Sequence, residues 1–416
     1  MSITKRPYEI SAAVQSVCDR LNRLYDEGAK LYFNTIRRKL VPKPSLHISV
    51  TNRCNLSCTY CYDKMSQPPF VKRRDMSTDV ATRIFKQYPD PSYVFVLGGE
   101  PFLNPHAVEV LLDHCPNRMV ISSNGQVLNG HVERILKKIM RRNEEGRGTL
   151  LQISCELGGV SCERNTRNAE EILRYFSHVC GRFMKVKYTL TAPDLIHIDA
   201  IARWYWDRNI LVQFDYVDGG YEKGEAIDLS ETNWKRVFAF ILSVLHESFE
   251  EWAQGNSDEW LILRAKTLVH YVFPLTVMQI KHKHPLWSMC GVFGNSVYIG
   301  PGGELFPCHR WKASVESYGS LGEPCESRML AFHTESWPSL QRYCEECVWR
   351  GSCGGVCPAV TCTYGGLSLI GRCKFMGALR DAVWSFLLDK TIVCHPQIDQ
   401  YLDLIRELSP FYKALI

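Results

Sequence analysis

The sequence feature that most limits the choice of fold is the cysteine content, because 18 cysteines occur in a chain of 416 residues. The N-terminal sequence MSITKRPYEI lacks the apolar core of a secretory signal, so we expect a cytoplasmic protein. Cytoplasmic thiols stay reduced, and a disulfide framework is therefore not expected. Metal binding or catalysis explains the cysteines better, and their spacing decides between the two.

Length and composition indicate a folded protein of two or three packed units. Hydrophobic residues make up 45% of the chain and charged residues 22%, as in ordinary globular proteins and unlike disordered ones. No apolar run approaches the ~18–20 residues that span a bilayer. The net charge of +5, from 49 basic and 44 acidic residues, is mild. We therefore expect neither a membrane nor a nucleic-acid partner.

Short apolar strands alternate with helical segments from residue 45 to residue 220, a pattern typical of parallel α/β folds. Strands are predicted at Leu46–Val50, Tyr93–Leu97, Met119–Ser122, Leu150–Ser154, Met184–Leu190 and Leu211–Tyr216. Two further units would complete an eight-unit barrel, and the sequence shows neither. We predict a partial (β/α)6 TIM-type barrel.

The segments outside the barrel differ from it in composition and hydrophobic pattern, which suggests additional structural units. A long helical pattern precedes the barrel, an apparent helical insertion follows it, and a segment rich in Gly, Pro and Cys comes next. The predicted parts are an N-terminal helical segment (1–44), the barrel (45–220), an insertion or linker (221–289), a cysteine-rich domain (290–375) and C-terminal helices (376–416).

Cys54, Cys58 and Cys61 follow the first predicted strand in the pattern C-x3-C-x2-C. Three thiolates in one short loop can wrap a single [4Fe–4S] cluster, whose irons each normally take one cysteine. Three ligands would leave one iron open for a substrate or cofactor. A zinc knuckle that lacks a ligand is the alternative explanation.

Polar loops follow the next strands, and the carboxyl ends of parallel strands are where chemistry gathers in α/β barrels. Gly98-Gly99-Glu100-Pro101 follows the second strand, Ser122-Ser-Asn124-Gly125 the third, and Ser154-Cys155-Glu156 the fourth. The two glycines allow a ligand to approach the backbone closely. Glu100 is suited to accept a hydrogen bond from an ammonium group.

With the cysteine motif, Tyr60 and the Gly-Gly-Glu-Pro loop, residues 45–217 resemble the radical S-adenosylmethionine (SAM) enzymes. The resemblance implies that SAM chelates the open iron and is cleaved reductively to methionine and a 5′-deoxyadenosyl radical, which abstracts a substrate hydrogen. The residues that it implies for SAM binding are Tyr60, Gly98, Gly99, Glu100, Ser122, Asn124, Ser154 and Arg167, with Arg164 as the alternative to Arg167. The sequence departs from the family at Glu156-Leu-Gly, where many relatives carry Asp-Gly.

A second set of cysteines lies in the segment 290–375, and zinc ribbons are the alternative explanation for its C-x2-C pair. Its spacing is similar to that of the SPASM extension of radical SAM enzymes, which carries two auxiliary [4Fe–4S] clusters. The resemblance implies one cluster on Cys290, Cys308 and Cys357, and an outer one on Cys344, Cys347, Cys353 and Cys373. The first of these is one ligand short, and the candidates are Cys325, Cys362, His282, His284 or an iron left open.

The remaining cysteines are best explained as small buried hydrophobes. Cys155 and Cys162 are weak catalytic candidates, because a cysteine near the active-site edge could donate a hydrogen atom to a substrate radical, as in the peptide-epimerase branch of the family.

The resemblance favours a ribosomally synthesised peptide as substrate, modified by a crosslink, a thioether, epimerisation or side-chain oxidation. It also implies a flavodoxin- or ferredoxin-type reductant. The segment before the first strand is too short for the leader-peptide recognition domain of several relatives, so either a separate protein presents the peptide or the substrate is small. The alternatives are a dehydrogenase or epimerase of a small metabolite such as a sugar, and a non-catalytic iron–sulfur electron carrier.

Overall fold

The fold is taken from a computed structural model of the chain. It describes residues 12–35, 43–58, 60–61, 74–158, 168–217, 231–256, 258–269, 272, 276, 296–310, 317–328, 347, 349, 353 and 370–407.

Helices and strands alternate along the chain, as the hydrophobic pattern predicts. The helices are α1 (Ala12–Thr35), α2 (Thr78–Gln87), α3 (Pro105–His114), α4 (Gly130–Glu144), α5 (Ala169–Cys180), α6 (Ile198–Trp206), α7 (Glu231–Ala253), α8 (Glu259–Val269), α9 (Ile370–Leu388), α10 (Lys390–Val393) and α11 (Ile398–Glu407). The strands are β1 (Ser45–Ser49), β2 (Val94–Leu97), β3 (Met119–Ser123), β4 (Thr149–Ser154), β5 (Met184–Leu190), β6 (Leu211–Tyr216), β7 (Ser296–Ile299), β8 (Leu305–Phe306), β9 (Gly319–Ser320) and β10 (Glu323–Pro324).

The strands β1 to β6 pair in chain order, and each is parallel to the next. Connections between parallel strands are right-handed. Because β1 to β6 follow one another across the sheet in chain order, all the connecting helices lie on the same face of the sheet. The predicted α/β class and the partial (β/α)6 barrel are therefore confirmed. The ends of individual helices follow local sequence signals. The Ser77 hydroxyl, for example, caps the start of α2 by accepting a hydrogen bond from the Val80 amide at 3.2 Å.

The sheet also extends beyond the predicted barrel. β7 pairs parallel to β1 on the side opposite β2, and β8 pairs antiparallel to β7. The cysteine-rich segment thus contributes strands to the main sheet, which the sequence pattern did not predict. The boundaries proposed for the domains remain predictions.

The two faces of the sheet differ in composition, because successive residues of a strand point to opposite sides. The outer face, which packs against the helices, carries apolar residues such as Ile48, Val96, Ile121 and Val186. The inner face carries the alternate residues, and from β3 to β6 it is largely polar. Its polar members there include Ser122, Gln152, Ser154, Lys185, Lys187, Thr189, Gln213 and Asp215.

Helices also occupy parts of the segments that flank the barrel. α1 lies within the N-terminal segment 1–44, and α7 and α8 lie within the segment 221–289. α9 begins at Ile370, so Cys373 lies in its first turn. Within the described ranges, no helix has the length and apolar character that crossing a bilayer requires.

Candidate active site

The first cysteine motif lies in the loop that follows β1, at the carboxyl edge of the sheet. Cys54 is exposed, and Cys58 and Cys61 are half-buried. The Cys61 amide donates a hydrogen bond to the Cys58 carbonyl at 3.4 Å, which turns the chain between the last two cysteines. Tyr60 packs into the barrel core with 6% of its surface exposed. The loop is therefore anchored by an aromatic residue, and Cys54 is the most exposed of its three cysteines.

An ion pair fixes the start of this loop. The Arg53 guanidinium binds Asp75 in a bidentate manner, with Nε donating to Oδ1 at 2.9 Å and Nη2 to Oδ2 at 2.6 Å. Nη2 also donates to the Leu103 carbonyl at 2.8 Å. The Thr51 hydroxyl donates to Asp75 Oδ1 at 2.6 Å and accepts from the Arg53 amide at 3.0 Å. A planar guanidinium fork restricts orientation more than an ammonium would.

The Gly98-Gly99 pair packs directly on the backbone of the cysteine loop. The Gly99 amide donates to the Thr51 carbonyl at 2.8 Å, and the Glu100 amide donates to the Arg53 carbonyl at 2.7 Å. A Cβ atom at Gly98 would lie 2.4 Å from the Thr51 carbonyl oxygen, and one at Gly99 would lie 2.0 Å from that of Arg53. Both positions therefore require glycine because two backbone segments approach closely.

Glu100 is fully buried and joins this contact to β3. Its Oε1 accepts hydrogen bonds from the Phe102 amide at 3.0 Å and the Ser123 hydroxyl at 2.8 Å. Its Oε2 accepts from the Asn124 amide at 2.7 Å. The carboxylate thus orders the loop after β3, and its predicted contact with the SAM ammonium remains a prediction. The sequence analysis did not select Ser123, whose hydroxyl donates to Glu100. Nothing in the Ser122-Ser123 dipeptide distinguishes the two serines in the sequence.

Asn124 returns from β3 to the cysteine loop. Its Nδ2 donates to Asn55 Oδ1 at 2.8 Å and lies 3.8 Å from Cys54 Sγ. The Leu56 amide also donates to Cys54 Sγ, at 3.4 Å. Desolvation of the Cys54 thiol by the surrounding loop raises its pKa, and the nearby carboxylate of Glu100 and the other two thiols add to this effect. A bound metal reverses that preference, since a coordinating thiol is deprotonated.

The donor set fits an iron–sulfur cluster. Three thiols share one loop, and donors are already directed at one of the sulfurs, which favours a thiolate. Among the described residues, no three His, Cys, Asp or Glu side chains converge as the ligands of a single metal ion do. A cubane cluster spreads its thiolates, because each binds a different iron.

The loop after β4 separates two residues that are adjacent in sequence. Ser154 lies on the inner face, in register with Lys187 of β5. Cys155 is 2% exposed and belongs to the core, and its carbonyl accepts a hydrogen bond from the Tyr205 hydroxyl at 3.3 Å. This position favours packing over hydrogen-atom donation at Cys155. Cys162, Arg164 and Arg167 lie outside the described residues.

The second cysteine set is described in part. Cys290, Cys344, Cys357 and Cys362 lie outside the described residues, as do His282 and His284. Cys308 follows β8 and packs against the barrel core. The Cys325 thiol lies 3.4 Å from the Ser327 hydroxyl, and this hydrogen bond lowers the pKa of Cys325.

Cys347 and Cys353 lie near α1 and α9. They pack against a small core of Cys18, Leu21, Trp349 and Trp384. The Asn22 amide nitrogen donates to the Cys347 carbonyl at 3.5 Å. Cys347 and Cys353 therefore share one environment, and Cys373 lies on α9, the helix that supplies Trp384 to it. The outer ligand set as a whole remains a prediction.

Comparison with known protein families finds a match in the part of the chain that forms this site. Residues 48–157, which include the cysteine loop, the Gly-Gly-Glu loop and β4, match the Radical SAM superfamily. This chain carries a radical SAM domain. The predicted resemblance is thereby confirmed at the level of the superfamily.

Curated relatives match this chain over limited segments. It is 27% identical over 105 residues to GTP 3′,8-cyclase from Microcystis aeruginosa, which covers 23% of this chain and 32% of that protein. It is 33% identical over 84 residues to 7-carboxy-7-deazaguanine synthase from Methanothermobacter thermautotrophicus, with 20% and 33% covered. The chain therefore spans about a third of the length of these relatives. A GTP 3′,8-cyclase from Staphylococcus carnosus is 26% identical over 223 residues, which is 50% of this chain and 63% of that one.

Solved structures share the fold over a larger part of the chain. Native anSMEcpe with bound AdoMet has a TM-score of 0.57 and 14% sequence identity, covering 86% of this chain and 99% of that one. Native anSMEcpe with bound AdoMet and the Cp18Cys peptide has a TM-score of 0.56 and 14% identity, with 88% and 99% covered. The similarity of fold thus extends well beyond residues 48–157.

Proposed function

We propose that this protein cleaves SAM reductively to a 5′-deoxyadenosyl radical and abstracts a hydrogen atom from a ribosomally synthesised peptide. The observation that carries the proposal is the docking of the cysteine loop onto Gly98, Gly99 and Glu100 at the carboxyl edge of a parallel sheet. This edge is where α/β barrels carry their chemistry.

The residues of the chain divide the work of this site. A [4Fe–4S] cluster on Cys54, Cys58 and Cys61 would supply the electron and an open iron for SAM. The Leu56 amide and Asn124 orient Cys54 through hydrogen bonds to its sulfur. Ser122 and Ser154 lie on the inner face at the ends of their strands, where they can bind the cofactor and orient it toward the barrel interior.

We further propose that the cysteine-rich segment is a SPASM domain with two auxiliary clusters. One would be held by Cys290, Cys308 and Cys357, with its fourth position filled by another residue or left open for a substrate thiolate. The outer one would be held by Cys344, Cys347, Cys353 and Cys373. The shared environment of Cys347 and Cys353 beside α9 supports the second set.

A peptide substrate is supported by the similarity of fold to anSMEcpe, which has been crystallised with the Cp18Cys peptide. A flavodoxin- or ferredoxin-type protein would supply electrons, and a separate protein could present the peptide. The second candidate is a radical SAM enzyme that acts on a small metabolite. It is favoured by sequence relatives whose names refer to small molecules, the GTP 3′,8-cyclases and the 7-carboxy-7-deazaguanine synthase.

The first test is anaerobic reconstitution of the full chain with iron and sulfide, followed by dithionite reduction in the presence of SAM. We expect about twelve irons per chain and the formation of 5′-deoxyadenosine, detected by mass spectrometry. Cys54→Ala should lose about four irons and abolish 5′-deoxyadenosine formation.

Cys394→Ala is the matched control, because Cys394 is exposed and lies outside both motifs. This variant should retain both iron and SAM cleavage. Zinc in place of iron in the unmodified protein, or no 5′-deoxyadenosine with any reductant, would overturn the proposal. Peptides encoded beside the gene and small metabolites can then be compared as substrates by the same assay.

A further inference from the structure

The strand β5 carries lysines where a parallel barrel strand ordinarily carries apolar residues. Its sequence Met-Lys-Val-Lys-Tyr-Thr-Leu alternates between the faces of the sheet. Met184, Val186 and Tyr188 belong to the outer core, so Lys185 and Lys187 lie on the inner face. Both lysines are half-buried.

Neighbouring strands surround these lysines with polar side chains. Lys187 Nζ lies 3.2 Å from Asp215 Oδ2, and Lys185 Nζ donates a hydrogen bond to Gln213 Oε1. Gln152, which is in register with Lys185, donates from Nε2 to the Ser122 hydroxyl at 3.2 Å. We call Gln152, Lys185, Lys187, Gln213 and Asp215 the inner polar strip.

The strip places two lysines side by side, with the Asp215 carboxylate and the Gln213 amide as hydrogen-bond or ion-pair partners. Burial lowers the pKa of Lys185 to about 7, and the nearby Lys187 ammonium lowers it further. A lysine whose pKa is shifted by burial and a neighbouring charge, beside a predicted cofactor site, points to binding or catalysis.

The position of the strip connects it to the radical SAM site. Lys187 is in register with Ser154, and Gln152 is bonded to Ser122. Both serines lie at the strand ends where the cofactor is predicted to bind. A molecule on the strip would therefore lie beside the cofactor and inside the barrel.

We infer that Lys185 and Lys187 bind a carboxylate group of the substrate and hold it in the barrel beside the cofactor. The inference rests on the proposed function and adds to it the chemical class of the group recognised. Two ammonium donors can bind the two oxygens of one carboxylate in charge-assisted hydrogen bonds. The carboxylate can belong to an acidic residue of a peptide or to a small acid.

The test uses the reconstituted protein with SAM and measures the acetylation of each lysine by isotope-labelled acetic anhydride, resolved by mass spectrometry. Glutarate should slow the acetylation of Lys185 and Lys187 in a saturable manner, whereas its neutral isostere glutaramide should not. The exposed Lys137 is the internal control and should react equally in all samples.

Variants separate binding from a purely structural role. Lys187→Met should weaken the protection of Lys185 by glutarate about tenfold, because a charge-assisted hydrogen bond is lost. Lys187→Arg should restore most of it. Asp215→Asn should strengthen protection several-fold, because it removes the competing carboxylate. Lys137→Met should change nothing. If Lys187 and Asp215 had only a structural role, the two substitutions would not change the protection of Lys185 in opposite directions.

Two sources of the carboxylate are distinguished by a second probe, a blocked Gly-Glu-Gly peptide compared with blocked Gly-Gln-Gly. Protection by the Glu peptide at lower concentration than glutarate indicates a peptide carboxylate, and the reverse order indicates a small acid. Equal protection by glutarate and glutaramide, or none by any carboxylate, overturns the inference. Formation of 5′-deoxyadenosine by the same sample reports separately on the proposed function.

Discussion

The outer and inner faces of the central sheet are built from alternate residues of the same strands, yet they differ in chemistry. The outer face joins the helices in one continuous apolar core, with Ile121 and Val186 fully buried. The inner face from β3 to β6 instead holds hydrogen-bonded amides, hydroxyls and charges. The outer face therefore determines the fold, whereas the inner face can vary with the chemistry that the barrel serves.

The inner face is itself divided. On the side of β1 and β7 it is aromatic, because His47 stacks on His309 with ring centroids 5.7 Å apart and contacts Phe95 edge-on at 5.7 Å. Burial lowers the pKa of His47 to about 4, so this imidazole is neutral. The aromatic side and the inner polar strip share one face of the sheet, an arrangement suited to a substrate with one charged end.

The two faces can be compared directly at adjacent residues of β3. Ile121→Ala should lower the free energy of unfolding by about 2–5 kcal/mol, because it removes a fully buried side chain of the outer core. Ser122→Ala on the inner face should cost no more than about 1 kcal/mol, the value of its hydrogen bond with Gln152. Denaturant titration measures both. Equal losses would contradict the division between the faces.

The carboxyl edge, where the faces meet, should be sensitive to bulk at the glycine contact. Gly99→Ala places a Cβ 2.0 Å from the Arg53 carbonyl oxygen and must displace the cysteine loop. We expect a decrease in SAM cleavage on the order of 10²-fold, the typical effect of a misplacement of about 1 Å. Gly130→Ala is the control, since nothing lies within 4 Å of its added Cβ, and it should retain full activity. Normal activity in Gly99→Ala would contradict the proposed docking.

Lys185 of the inner polar strip should lower the free energy of unfolding by an amount that depends on pH. Lys185 has a pKa of about 7 in the folded protein against 10.5 ordinarily, so the unfolded chain binds its proton more tightly. Its cost is therefore complete below about pH 7 and declines as the pH rises toward the unfolded value. Lys185→Met should raise the melting temperature most near pH 6 and less near pH 9. Lys187 and Asp215 also face this group. A gain in melting temperature that is independent of pH would contradict the prediction.

Much of the fold was predictable because it follows from short-range patterns. The six barrel strands are apolar runs between turn residues, and the cysteine and Gly-Gly-Glu loops follow two of them directly. The separation of Ser154 from Cys155 was also predictable, since alternation along β4 sends them to opposite faces. Continuing the alternation of side chains one residue past Ser154 would have placed Cys155 on the outer face, in the core.

Other features depend on contacts that a linear pattern does not contain. β7 is a four-residue strand in a segment without regular alternation, and its pairing with β1 joins residues about 250 positions apart. Glu100 is buried because Ser123 and Asn124 donate to it from the next strand. The lysines of β5 alternate with apolar residues, but only the register with β4 and β6 shows that they meet Gln152, Gln213 and Asp215.

The smallest effect is expected from an ion pair outside the barrel, which completes the comparison between buried and exposed charge. Arg182, before β5, donates from Nη1 to Glu259 Oε1 of α8 at 2.8 Å, and both side chains are exposed. Such pairs contribute about 0.2–1 kcal/mol, because water and salt screen them. Glu259→Gln should therefore change the free energy of unfolding by less than about 1 kcal/mol, and the change should shrink in high salt. The variant should leave the protection of Lys185 by glutarate unaltered, because the pair is exposed and water and salt screen its charge. If it altered protection as much as Lys187→Met does, the effect of charge on the barrel would be general rather than local to the inner polar strip.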